Sequence, residues 1–394
     1  MAKLLNAYDD DDDEAEKPSS AQIVASIDDL LIQIIRHLSL KPLVQLRLVS
    51  NNWNSLISDS KLRLWHNRAA VGLIFERLDY GHSYILSLDK SIISPPIRKM
   101  TPTKDPWYQH CKIMHSCNGL LLCVSNPAHN LTQKYYVCNP TTKKYTALPQ
   151  VVFDNTNESI CGMSLAFDPS NSVPHYKVVC VIRSLGGLLH FFEVYSSKTG
   201  SWRESGELFK AYAHFDFEDG VYWNRAIHWV NIVTKPRECV YFSLDCDQTP
   251  KVFPNPPLQD KCYYKNDYYF GETCDHLYFI DANREVGEFN VYEMKRDYSE
   301  WFVKYKVNVP DAQISYSPIS RERLRKNGED WFMVVRGKND EDWFLVFASM
   351  MMISYHRRIT RYNLDQNICE ILWDHSVFGG SKRPFQFIES HCPV

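Results

Sequence analysis

The spacing of hydrophobic positions changes once along this chain, near residue 70. Before that point it is helical, and after it the apolar residues alternate. Leu30, Leu31, Ile34, Ile35 and Leu38 recur at intervals of three and four. At 100° per residue they cover an arc of about 140°, which Ile32 widens to about 200°. That is more than the single stripe a surface helix needs. Ser26 is placed to N-cap this helix, with Asp29 three residues on as an acidic capping-box partner. Lys41-Pro42 restarts the chain, and Pro42 suits a first helical turn. Leu43, Leu46 and Val49 carry the next apolar face, widened by Val44 and Leu48. Ser50 is a cap for a third short helix bearing Trp53, Leu56 and Ile57.

Beyond residue 70, short alternating runs are separated by Asn, Gly, Pro and Asp turns, the pattern of strands. Val178 to Ile182, Leu188 to Tyr195, Val221 to Val230 and Trp343 to Met352 are examples. A loose repeat runs through them: an aromatic strand, a polar turn, then an aromatic or apolar return strand. Tyr136 to Tyr145 and Phe192 to Trp202 show it, as do Tyr241 to Phe253, Val291 to Trp301 and Ile359 to Trp373. Gly220 to Trp229 reads as a further hairpin and His276 to Ile280 as a strand. A spacing of about 45 to 60 residues with several strands per unit is the mark of propeller blades. Counting a partial unit near Tyr84 to Leu88, the pattern predicts about six blades, with Phe385 to Ile388 closing the ring against the first. The irregularity of the repeat leaves a β-sandwich as the alternative. The expected fold is therefore α+β by domain, three small helices and then a large all-β propeller.

Composition narrows this picture only at the ends. Of 394 residues, 44% are hydrophobic and 13% aromatic, ample for a large β core. A net charge of −3 gives no general attraction to nucleic acid or anionic membranes. Asp9 to Glu14 is an unbroken acidic run, so residues 1–22 are expected to be a disordered acidic tail. No apolar run is long enough to span a bilayer, and Met1 to Lys17 lacks the apolar core of a secretion signal. The twelve cysteines follow no repeating spacing and are expected to be reduced. Asn130-Leu-Thr132 and Asn157-Glu-Ser159 then match the glycosylation pattern by chance.

The helical segment from Ile27 to Asp59 resembles the F-box, most specifically in Leu48-Val-Ser-x-x-Trp-x-Ser-Leu-Ile-Ser-Asp59 and in Asp28-Asp-Leu-Leu with Ile34-Ile35. Ser116-Cys-Asn-Gly-Leu-Leu-Leu122 and Cys138-Asn-Pro-Thr-Thr-Lys-Lys-Tyr-Thr-Ala-Leu-Pro149 resemble the F-box-associated domain of plant F-box proteins. The expected domains are an F-box over 23–66 and the β domain over 67–394. Two positions depart from the family: Ser26-Ile27 stands in place of the usual opening Leu-Pro, and Ser39 in place of the Pro between the first two helices. The resemblance implies a Skp-type adaptor bound by the F-box, a cullin scaffold bound through that adaptor, and a target protein bound by the β domain. It implies a substrate-recognition subunit of an SCF-type ubiquitin ligase, working in the cytoplasm or nucleus. A segment of about 40 residues rarely supports its own core without a metal, a disulfide or a partner. The surplus apolar face therefore calls for the adaptor, and Leu30, Leu31, Ile34, Pro42, Leu43, Leu46 and Val49 are the candidate contacts. Any of them could instead belong to the internal core of the helices.

No catalytic residue, metal or cofactor is expected. His110, Cys111, His115 and Cys117 are the densest set of soft ligands, but their spacing lacks the paired short intervals of a zinc site. No nucleophile elbow, phosphate-cradling glycine loop or His-Glu-x-x-His occurs. Gly186-Gly187 reads as a hairpin turn. The basic groups Arg321 to Lys326 and His356-Arg-Arg358 with Arg361 read as a solvated loop and an exposed sheet face. The alternatives to the ligase reading are a lectin-like ligand-binding propeller and a hydrolase with its site in the propeller channel.

Overall fold

A computed structural model describes residues 27–37, 45–58, 70–77, 82–88, 97–100, 111–125, 133–152, 158–170, 174–184, 189–211, 215–233, 235–245, 249–258, 268–283, 288–309, 332–336, 343–351, 356–375, 384–390 and 392–394. Asp9 to Glu14, Ser26, Leu38, Ser39, Pro42, Leu43, His110, Asn130, Asn157, Gly186-Gly187 and Arg321 to Lys326 lie outside the described residues, as do the side chains of His356, Arg357 and Arg358. The chain divides into two compact units, Met1–Leu62 and Arg63–Val394.

In the first unit, α1 spans Asp28–His37 and α2 spans Asn51–Ser58. Asp28 and Asp29 place carboxylates in the first turn of α1, where the helix dipole favours them. Ser50 caps α2 as its position predicts: its hydroxyl accepts the Trp53 amide at 3.2 Å. Of the middle helix only residues 45–49 are described, and they close a turn through Leu48 N–H to Gln45 C=O and Val49 N–H to Leu46 C=O. Two helices, not three, are thus formed among the described residues. The core of the unit is Leu31 and Ile35, packed by Ile32, Trp53, Leu56 and Ile57.

The second unit is built of six four-stranded antiparallel sheets. Blade 2 holds β4 (Cys111–Cys117), β5 (Leu120–Ser125), β6 (Tyr135–Asn139) and β7 (Lys144–Ala147). Blade 3 holds β8 (Ser159–Phe167), β9 (Tyr176–Arg183), β10 (Leu189–Ser196) and β11 (Ser201–Lys210). Blade 4 holds β12 (Val221–Trp223), β13 (Ala226–Asn231), β14 (Glu238–Ser243) and β15 (Lys251–Phe253). Blade 5 holds β16 (Tyr268–Thr273), β17 (His276–Asn283), β18 (Glu288–Met294) and β19 (Trp301–Asn308). Blade 6 holds β20 (Phe332–Arg336), β21 (Trp343–Met351), β22 (His356–Asn363) and β23 (Cys369–His375). Blade 1 joins the two ends of the unit: β1 (Gly72–Arg77), β2 (His82–Ser87) and β3 (Ile97–Met100) are completed by β24 (Phe385–Phe387). Gly72, Leu73 and Ile74 pair with Phe387, Gln386 and Phe385. This is the closing strand anticipated from the sequence, and the first strands of neighbouring blades lie against one another around the axis.

Apolar side chains fill the seams between blades, and this excludes the sandwich alternative, which would have one core between two sheets. Phe192 of blade 3 stacks on Phe242 of blade 4 with ring centroids 4.1 Å apart. Trp202 and Trp301 each donate the indole N–H back to a proline carbonyl that follows the preceding blade, Pro149 and Pro254, both at 2.8 Å.

The two ends of the ring differ in their connections. At one end, the first and second strands of blades 2, 4 and 5 are joined by two-residue turns, Asn118-Gly119, Asn224-Arg225 and Cys274-Asp275, all with positive φ. These are type I′ turns, whose twist matches that of the strands they join. The third and fourth strands of blades 2, 3 and 6 are joined at the same end by a second repeated turn. There Lys143, Gly200 and Asn367 donate back to Asn139, Ser196 and Asn363, and each donor has φ between 58° and 70°. The residues after β24 also cover this end: Asn139 Nδ2 donates to Ser390 O at 3.0 Å and to Cys392 O at 2.8 Å. A Cβ on Gly119 would meet Ser390 Cβ at 2.6 Å, so this close approach needs glycine. The connections from one blade to the next all run at the opposite end and are longer.

Asn139 caps its turn by accepting two backbone amides and also holds the C-terminal residues. At about 1 kcal/mol for each net hydrogen bond, Asn139→Ala should cost about 3–4 kcal/mol. Denaturant unfolding of the variant beside wild type checks it.

Candidate functional site

Two regions could carry function: the outer face of the helices and the axis of the propeller. On α1 the apolar arc divides. Leu31 is 1% exposed and Ile35 is fully buried, whereas Leu30 is 39% and Ile34 43% exposed. Leu31 lies in the core of the unit, where Trp53, Leu56 and Ile57 of α2 pack on that side of the helix. Val49 is exposed and Leu46 half-buried. Ile27, at 41%, and Leu48, at 89%, are exposed as well. Both were missing from the candidate contacts, and Leu48 was legible only as a residue that widens the second face. Asn52 Nδ2 donates to Asp28 Oδ1 at 3.1 Å, which ties the first turn of α2 to the first turn of α1. Among the described residues, this end of the unit leaves the large aliphatic side chains Ile27, Leu30, Leu48 and Val49 exposed.

Around the axis, hydrogen bonds run from blade to blade. Gln386 of β24 donates to Glu272 O at 3.0 Å and to Thr273 Oγ1 at 2.9 Å in blade 5. Thr273 Oγ1 donates on to Val334 O of blade 6, and Ser116 Oγ of blade 2 donates to Gln386 O. His115 of β4 reaches Leu165 N–H in blade 3 and Gly220 C=O beside blade 4. These side chains link all six blades around the axis.

The described members of the soft-ligand set lie in different places. Cys111 packs in the core between blades 1 and 2, and Cys117 in the core between blades 2 and 3. Burial pushes both thiols up, Cys111 to about 12, against the thiolate a metal would need. Among the described residues no group of three His, Cys, Asp or Glu side chains could hold a metal. Arg361 is committed: it pairs with Glu370 at 2.7 Å, lies over Phe344 and donates to Leu88 O, linking blade 6 to blade 1. In blade 5, Glu293 accepts from His276 Nδ1 at 2.7 Å and pairs with Lys304 Nζ at 3.3 Å. Burial alone would raise its carboxyl, but His276 and Lys304 outweigh that and hold it below the usual carboxylate range.

Comparison with known proteins agrees with this division. Residues 28–65 match the F-box domain, and residues 82–269 match the F-box associated beta propeller domain. F-box protein At5g07610 of Arabidopsis thaliana is 31% identical over 95% of this chain and 94% of its own length. The chain belongs to the F-box protein family. F-box protein At5g49610, from the same plant, is 26% identical over 52% of this chain and 57% of its own length. F-box only protein 6 of Arabidopsis is 29% identical over 46% of this chain and 36% of its own. The F-box match covers α1, α2 and the turn before α2, so the exposed Leu30, Ile34, Leu48 and Val49 lie within it, and Ile27 immediately precedes it. The propeller match runs from β2 into β16, and the six sheets extend it to β24. Among the described residues no helix is long and apolar enough to cross a membrane.

The Glu293 pair gives a pH-dependent prediction. A carboxylate held below its unfolded value stabilises the fold at neutral pH, and the gain disappears as pH falls through the carboxylate range. Glu293→Gln should cost about 1–2 kcal/mol at pH 7, with the gap to wild type closing below about pH 4. Unfolding midpoints measured across that range check it.

Proposed function

We propose that this F-box protein is the substrate-recognition subunit of an SCF-type ubiquitin ligase. The supporting observation is the aliphatic set Leu30, Ile34, Leu48 and Val49, left exposed within the F-box with Ile27 just before it, while Leu31 and Ile35 form its core. Large apolar side chains gathered on so small a unit are the surface a protein partner covers. A Skp-type adaptor is that partner in this reading, and it links the chain to a cullin scaffold. Pro42, Leu43 and Leu46 complete the contact, as the family resemblance implies.

The propeller then holds the target. The turn end is closed by short self-bonded turns and covered over blade 2 by the C-terminal residues. At the opposite end, blades 2, 3 and 4 present the exposed residues Val152, Leu208 and Val233 near the ends of their strands. We place target recognition there, since loops on a rigid scaffold carry specificity. The chain performs no chemistry itself: it raises the effective concentration of a target lysine near a ubiquitin-charged enzyme. The reading places the chain in the cytoplasm or nucleus, where cysteines stay reduced.

Adaptor affinity tests the first half of this reading. A charge on a buried apolar contact costs several kcal/mol, so Leu30→Asp with Ile34→Asp should weaken adaptor binding about 100-fold or more. Val152→Asp should leave it unchanged, and equal affinity of all three proteins would refute the assignment. The second half is read by proximity labelling in cells under proteasome inhibition. Leu208→Glu with Val233→Glu should keep adaptor and cullin labelling and lose part of the remaining labelled set. An unchanged set would remove the target from this end.

A further inference from the structure

In blades 2 to 6 the innermost strand is followed in the chain by the second strand of the same blade. Blade 1 is the exception. Its innermost strand, β24, arrives from the other end of the unit, and three residue pairs with β1 join it to the blade. A strand so short, with no covalent link to its sheet, frays unless something else ties it down. The residues beyond it supply that tie, and they find it on blade 2. We propose that these residues, 388–390 and 392–394, are a clasp: they hold β24 in blade 1 by gripping blade 2, and the ring opens at this seam when the grip is lost.

The grip has three parts. Asn139, fully buried at the end of β6, donates from Nδ2 to Ser390 O at 3.0 Å and to Cys392 O at 2.8 Å. Thr141 Oγ1 accepts the Ser390 N–H at 3.2 Å. All three bonds are to backbone, so they fix the path of the strap. Gly119 sets how close it comes. A Cβ there would meet Ile388 O at 2.8 Å and Ser390 Cβ at 2.6 Å, so the strap lies directly on the turn between β4 and β5. Ser390 is fully buried, and its hydroxyl accepts the Cys392 N–H at 3.2 Å. Beyond that bend, Cys392 and Val394 pack against the core between blades 2 and 3. The strap is thus anchored one seam away from the strand it holds.

What it holds reaches past blade 1. Phe387 O accepts the Val71 N–H at 2.9 Å, where the chain from the helices enters the blades. Gln386 accepts from Ser116 Oγ of blade 2 and donates to Glu272 O and Thr273 Oγ1 of blade 5. Loss of the grip therefore frees the entry of the chain and the contacts of Gln386 together. The seam between blades 3 and 4 is filled by its own side chains, among them Phe192 and Phe242, and stays closed.

Amide hydrogen exchange on the full chain tests this with Asn139→Asp. The carboxylate can still accept the Thr141 and Thr142 amides, at 2.9 and 3.1 Å in the wild type, but it cannot donate to the strap. Exchange at Val71 and Ser390 should rise together at least tenfold, while Thr142 and Val181, in the middle of blade 3, keep their protection. If Asn139→Asp does not fold, Thr141→Val gives the second reading. It removes the acceptor of the Ser390 amide from a half-buried residue, and Val71 should again exchange faster. An unmoved Val71 in the folded variant would mean that the strap merely lies on blade 2, and it overturns the proposal. A rise at Val181 or Thr142 equal to that at Val71 overturns it as well.

Discussion

The pairing of Phe385–Phe387 with Gly72–Ile74 is the contact on which the rest of the second unit depends. Each blade hides its apolar faces only against its neighbours, so an open ring would leave two faces wet. Closure lets every seam become a core, and strands far apart in the chain become partners. Gln386 sits in this strand and bonds to blades 2 and 5, so closure also sets the hydrogen bonds at the axis.

The helical unit meets the same requirement and cannot satisfy it. Leu31 and Ile35 are hidden by α2, but no described element of the unit covers Leu30, Ile34 or Leu48. The propeller hides most of its apolar surface in the seams between blades and leaves residues such as Val152 and Leu208 exposed, while the small helical unit exposes Leu30, Ile34, Leu48 and Val49 around a core of only Leu31 and Ile35.

Most of the propeller was legible because its signals are local. Strand–turn–strand units such as Tyr136 to Tyr145 and Phe192 to Trp202 are the third and fourth strands of blades 2 and 3. Their polar turns correspond to hydrogen-bonded loops with one residue at positive φ, the position held by Lys143 and Gly200. The division of α1 was not legible. Leu30 and Leu31 are adjacent and chemically identical, and only the placement of Trp53, Leu56 and Ile57 decides which is buried. His115 is a similar case. Beside Cys111 and Cys117 it reads as a soft ligand, but the bulge beside it in β4 and the long-range contacts to Leu165 and Gly220 make it a seam residue, and no sequence spacing encodes those.

The central claim is that a partner completes the F-box and not the propeller. Amide exchange across the full chain, with and without a purified Skp-type adaptor, measures this most directly. The account predicts large gains in protection confined to residues 27–58, with the blade strands unchanged. Protection of those residues that is already complete without the adaptor and unaltered by it would contradict the account.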